Sequence, residues 1–123
     1  MMTKLQIAQM STASLAYLGD SVLELMVRQR LVCDGKGDIH ARALNFVTAV
    51  KQSEAFDRMS DQLTEDEFDV YKRGRNNTHT SPKSATHAQY SKATGLECLF
   101  AYLHLCGERE RLEELFALGY PEE

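Results

Sequence analysis

The sequence predicts an all-α domain, a bundle of helices with no sheet. Three observations predict it. Apolar residues recur at three- and four-residue spacing through most of the 123 positions. No run alternates β-branched and polar residues as a half-buried strand would. Glycine and proline, which break helices, are few, seven and two.

The elements follow in order. Ser11 or Thr12 can cap a long helix running to about Cys33, with Leu15, Leu18, Val22, Leu25 and Met26 as its apolar face. "CDGKGD" ends it with two glycines in three positions. Asp38 then caps "IHARALNFVTAVKQSEAFDRM", a helical stretch expected to bend near Thr48. In "LTEDEF", Thr64 and Glu67 have the spacing of a capping box, which starts a helix ending near Arg75. "RNNTHTSPKS" is a loop by composition, because Pro82 and the asparagine pair oppose a helix. A fourth helix is expected from roughly Ser84 to Leu105, stopped by Gly107, and "ERERLEELFAL" forms a short last one. No repeat, low-complexity tract or linker divides the chain, so residues 1–123 read as one domain.

Composition narrows the function classes. No apolar run approaches the ~20 residues that span a bilayer. "MMTKLQIAQM" lacks the apolar core of a secretion signal, so the expected location is the cytoplasm, with no membrane partner. Cys33, Cys98 and Cys106 form no C-x-x-C pair, and their odd number suits reduced thiols. Cys98, His104 and Cys106 match no standard zinc spacing and read as thiols in a helix. The net charge of −4 is unevenly spread. From Tyr71 to Leu96 there is no acid, while Lys72, Arg73, Arg75, Lys83 and Lys92 give +5; the remainder carries −9. A polyanion is the partner such a segment would attract.

Two acids interrupt the most apolar helices. Asp20 follows Gly19 in "SLAYLGDSVLEL", and Glu97 follows Gly95 by two in "SKATGLECLFAYL". Aspartate is a poor residue inside a helix, and glycine there costs about 1 kcal/mol relative to alanine. The glycines suggest a close approach of two backbones. The acids, placed among apolar neighbours, are expected to be buried and to need a cation. If the two helices cross there, Asp20 and Glu97 are natural ligands for Mg²⁺, which takes one or two carboxylates and keeps several waters. The plainer alternative makes Asp20 a cap at a kink and pairs Glu97 with Lys92 or Arg73. Leu96, Leu99, Phe100 and Leu103 form the buried face of the second helix.

"LAYLGDSVLELMVRQRL" resembles the signature helix of the ribonuclease III family, with its core from Leu18 to Glu24. "TGLECLFAYLHL" resembles that family's second catalytic helix. "YKRGRNNTHTSPKSATHAQYSKATGLE" is similar to the Mini-ribonuclease III branch, a bare catalytic domain without a double-stranded-RNA-binding domain. The resemblance covers nearly the whole chain. It implies that Asp20 and Glu97 are catalytic and metal-binding, with Mg²⁺ as cofactor and Mn²⁺ as a substitute. Further acids of larger relatives fall at Ala13 and Thr94 here, which leaves the number of metals open.

The implied reaction is hydrolysis of double-stranded RNA to 5′-phosphate and 3′-hydroxyl ends. Cutting both strands asks for two sites about a two-fold axis, hence a homodimer, with Leu23, Met26 and Val27 at the interface. Arg73, Arg75, Asn76, Asn77, His79 and Lys83 are the expected RNA contacts, suited to phosphates and 2′-hydroxyls. Glu24 is a candidate support for a metal water, and His40 for a phosphate contact. The branch resemblance points to 23S ribosomal RNA precursor, with a ribosomal protein as a candidate for presenting it. The rivals are a non-catalytic, ribosome-associated RNA-binding protein on the same fold and a helical adaptor. Retention of both Asp20 and Glu97 argues against the first, and the acid-free basic segment against the second.

Overall fold

The computed structural model describes residues 1–78 and 84–122. Among these residues there are helices and no strand. In chain order they are α1 (Lys4–Ala8), α2 (Thr12–Asp34), α3 (Ile39–Val47), α4 (Ala49–Met59), a 3-10 turn (Ser60–Gln62), α5 (Glu65–Asn76), α6 (His87–Leu105) and α7 (Arg109–Gly119).

The caps follow from local chemistry. Ser11 accepts from the Ser14 N–H at 3.0 Å and opens α2. Gly35 closes it at φ +63°, donating its N–H to the Leu31 carbonyl. Asp38 caps α3, and the Thr64–Glu67 box opens α5. The bend expected near Thr48 is a full break: Thr48 is extended, ends α3 and caps α4 with its own hydroxyl. The fourth expected helix starts three residues later than its composition suggests, at a second capping box formed by Thr86 and Gln89. A third box, Thr3 with Gln6, opens α1, which the periodicity of the N-terminus does not reveal.

Helix α6 is the hub, with α2, α4, α5 and α7 packed around it. Leu96, Leu99 and Phe100 are fully enclosed and Leu103 nearly so. A helix enclosed on most sides reads as apolar nearly all round, as α6 does. No helix among the described residues is long and apolar enough to cross a membrane.

The inner face of α2 differs from the expected one. Leu15, Gly19, Val22, Leu23, Val27 and Leu31 are buried, whereas Leu25 is 65% exposed. Two residues of helix turn Leu25 about 200° away from Leu23, on to the opposite side. This corrects the interface residues as well. Leu23 and Val27 have no exposed surface, because they are spent in the chain's own core. Met26 is only partly buried and lines, with Leu25, Leu112 and Phe116, a groove of about 850 Å³ between α2 and α7.

Two glycine crossings set the distances between helices. A Cβ on Gly19 would lie 1.7 Å from the Glu97 carbonyl oxygen, so α2 touches the α6 backbone there. A Cβ on Gly95 would lie 2.5 Å from the Tyr71 ring, which itself stacks on Phe56 at 3.7 Å between centroids. Helix α7 is fastened by Arg111, which grips the buried Glu67 carboxylate with two hydrogen bonds of 2.8 Å.

Candidate active site

The Gly19 contact brings the Asp20 turn of α2 against the Glu97 turn of α6. The two carboxyls are near enough for the Asp20 charge to act on Glu97. Both face a cleft of about 440 Å³, lined also by Thr12, Ala13, Ala16, Tyr17, Asn77, Thr78, Tyr90 and Thr94. Ala13 and Thr94 are small, so the cleft wall stays open at both positions.

The acids are not alike. Asp20 is exposed, which corrects the expectation of burial: its apolar neighbours in sequence turn to the core while it turns to the cleft. Glu97 is only partly exposed. Burial first, and then the neighbouring Asp20 carboxyl, push Glu97 up to about 8.

The salt-bridge alternative is not built. Lys92 pairs with Asp57 at 2.8 Å. Arg73 donates to the carbonyls of Ile7 and Met10, which closes the end of α1. Among the described residues no ion pair is formed by Asp20 or Glu97. Two carboxyls without a basic partner, presenting hard oxygens to an open cleft, fit a magnesium ion that completes its shell with water. Among the described residues no cluster of three or more histidine, cysteine, aspartate or glutamate side chains is arranged for a metal. Cys98 is packed with Ile7, Leu15 and Ala101, and its thiol is pushed up to about 12 by burial and by Glu97.

The other expected site residues divide. Asn77 lines the cleft, and its amide donates to the Arg73 carbonyl at 2.7 Å. Asn76 is exposed and accepts from Arg75 Nε at 3.1 Å. The Arg75 guanidinium lies 5.7 Å from the Tyr71 ring centroid. Arg73 is turned to α1 instead of the cleft. His79 and Lys83 lie outside the described residues. Glu24 does not line the cleft and pairs with Arg28 at 3.3 Å, and His40 is exposed on the first turn of α3. Sequence reasoning missed Tyr17, Thr78 and Tyr90 as cleft residues. Helical spacing back from the two acids, three from Asp20 and seven from Glu97, reaches Tyr17 and Tyr90.

The elevated Glu97 has a thermodynamic signature. Its carboxyl titrates near its ordinary value in the unfolded chain and near 8 in the fold, so the unfolded state loses its proton first. Without divalent metal, stability should therefore be greatest below about pH 4.5 as far as this group is concerned, and fall as pH rises towards 8. Glu97→Gln should flatten that slope and raise Tm at pH 8, measured by calorimetry in chelator. A divalent ion held by both carboxylates would displace the same proton, so Mg²⁺ titration at pH 7 should then release close to one proton per site.

The fold and the paired acids define a class. The Ribonuclease III domain model matches residues 13–108, from the start of the cleft to the end of α6 and just beyond. The chain is 45% identical over 106 residues to the Mini-ribonuclease 3 of Symbiobacterium thermophilum, covering 83% of this chain and 82% of the relative. It is 39% identical to that of Clostridium tetani, covering 94% and 80%. The crystal structure of protein FN1578 from Fusobacterium nucleatum is similar at a TM-score of 0.84 and 26% identity, over 91% of this chain and 94% of that one. The chain belongs to the ribonuclease III family of endoribonucleases, in its Mini-ribonuclease 3 branch.

Proposed function

We propose that the protein is a divalent-metal-dependent endonuclease of double-stranded RNA, acting from one catalytic domain over residues 1–123. The observation that carries this is the meeting of Asp20 and Glu97 in one cleft with no cation supplied to them. They would hold Mg²⁺, with Mn²⁺ able to stand in. A bound ion of this kind supplies charge beside the scissile phosphate and lowers the pKa of a water. Water adds at phosphorus and the 3′-oxygen leaves, giving 5′-phosphate and 3′-hydroxyl ends.

The chain's own residues do the rest. Asp20, the more exposed, and Glu97, the more enclosed, would together hold the ion. Asn77 and Thr78 offer short polar groups to the backbone of a duplex at the cleft. Arg75, Asn76, His79 and Lys83, in the acid-free segment of an otherwise acidic protein, would add contacts to RNA. Arg73 supports this surface from behind, through α1. Glu24 and His40 would act only at longer range.

A homodimer gives two such sites for two strands. The groove between α2 and α7, with exposed Leu25 and partly exposed Met26, is the surface we assign to it. Ribosomal RNA precursor of the 23S type, presented by a ribosomal protein in the cytoplasm, is the substrate setting we favour from the branch.

The experiment is cleavage of a long RNA duplex. Cutting is expected in Mg²⁺ and Mn²⁺, none in chelator, and none on duplex DNA of the same sequence. Binding without cutting in every metal would instead support an RNA-binding role.

A further inference from the structure

The neutral polar groups that line the cleft divide by whether they still hold a hydrogen to give. Thr78 has one hydroxyl hydrogen, and it goes to the Gly74 carbonyl at 3.1 Å. Thr94 gives its own to the Tyr90 carbonyl at 3.1 Å. Asn77 turns its Nδ2 to the Arg73 carbonyl at 2.7 Å, so Oδ1, on the other arm of the amide, is left to accept. The Arg73 and Gly74 carbonyls are among the last four of α5, which a helix leaves without internal partners. That local need fixes the direction of both bonds. Among the described residues nothing donates to Asn77 Oδ1 or to Thr78 Oγ1, so both keep their lone pairs for a ligand.

Phosphate does not suit these two oxygens. It is an anion whose oxygens only accept, and the last turn of a helix carries the negative end of its dipole. Among the described residues no lysine, arginine or histidine lines the cleft to offset that. Duplex RNA offers a sugar group that donates, the 2′-hydroxyl, displayed along its shallow minor groove. Duplex DNA lacks it. We infer that Asn77 and Thr78 are specificity-determining residues that accept from a ribose 2′-hydroxyl near the cut, and so favour RNA over DNA. The inference rests on the nuclease reading above and names the atoms that would make the choice. Asn77 is exposed, so water replaces a missing hydroxyl, and each contact is worth about five- to tenfold, far below the discrimination of an enclosed site.

The test is cleavage of a short RNA duplex with one mapped cut, compared with a set in which each 2′-hydroxyl around the cut is replaced singly by fluorine. Fluorine keeps an RNA-like sugar and removes the donor. Each duplex is offered to the parent chain, to Asn77→Ala and to Thr78→Val. Asn77 is exposed, so its variant should fold. For the parent, kcat/KM is expected to fall about five- to tenfold at one or two positions and little elsewhere. In at least one variant, cutting of the all-RNA duplex should fall by a similar factor, and fluorine at those positions should then cost nothing more. Such non-additivity marks two groups in contact. Losses that add at every position in both variants would overturn the inference, because residue and hydroxyl then act apart. A parent indifferent to every fluorine overturns it without recourse to a variant. Weaker Mn²⁺ binding by the variants in the absence of RNA would assign the two oxygens to the waters of a metal, and overturns it as well. A parent that cuts no duplex RNA removes the nuclease reading and this inference together. With a parent that does cut, additive losses refute the role of Asn77 and Thr78 alone.

Discussion

Glu97→Gln should abolish cutting while leaving a more stable protein. The substitution keeps the shape of the side chain and removes its charge, so α6 should pack as before. One of the two proposed ion ligands would be lost, and with it several kcal/mol of charge stabilisation at the phosphate. At about 1.4 kcal/mol per tenfold, kcat should fall about a thousandfold or more. In the same preparation, metal-free Tm at pH 8 should rise, because a carboxylate forced to ionise beside Asp20 has gone. Asp20→Asn shares the first effect and also relieves Glu97, whose proton should then leave at lower pH. Loss of activity accompanied by loss of stability in Glu97→Gln would mean that the carboxylate is a structural group. Activity within tenfold of the parent would exclude it as a ligand.

Gly19→Ala should be the most damaging single methyl in the chain. The added carbon would sit 1.7 Å from a backbone oxygen of α6, and no side-chain rotation relieves a contact with backbone. Overpacking of this kind costs typically 1–3 kcal/mol and more where the backbone must move, so about 3 kcal/mol or worse is expected. For a domain of this size that is a fall of more than about 10 °C in Tm. Any folded fraction should cut poorly, since spreading α2 from α6 separates Asp20 from Glu97. Gly35→Ala gives the contrast. Its φ of +63° disfavours a side chain, but nothing lies within 4 Å, so only the conformational cost of about 1–2 kcal/mol should appear. Equal stability of the two variants, by thermal melts, would refute the close-crossing account.

The residues that announce this site are those that break a local rule. A glycine and an acid in the middle of an apolar helix have no local reason to be there, so Gly19–Asp20 and Gly95–Glu97 are legible from sequence. Capping is legible because it is local, since a threonine with glutamate three residues on satisfies donors within one turn. Exposure is not legible in this way. Whether Leu23 or Leu25 faces inward depends on which side of α2 meets α6, and both are leucines. The same ambiguity misplaces the interface residues and wrongly buries Asp20. Arg73 illustrates a second limit. Its charge belongs to an acid-free segment, but its guanidinium is used by carbonyls more than sixty positions earlier.

That α6 is both the hub of the packing and the carrier of Glu97 bears on motion. Regions that open cheaply are those with few buried neighbours, and Glu97 does not stand in one. Its peptide N–H should exchange with solvent only when the whole domain opens, alongside those of Leu96, Leu99 and Phe100. The protein should thus populate no partly melted form in which the rest survives and the glutamate drifts. Denaturant should extinguish cleavage and helicity along a single curve, and heat inactivation should begin where the domain itself begins to unfold.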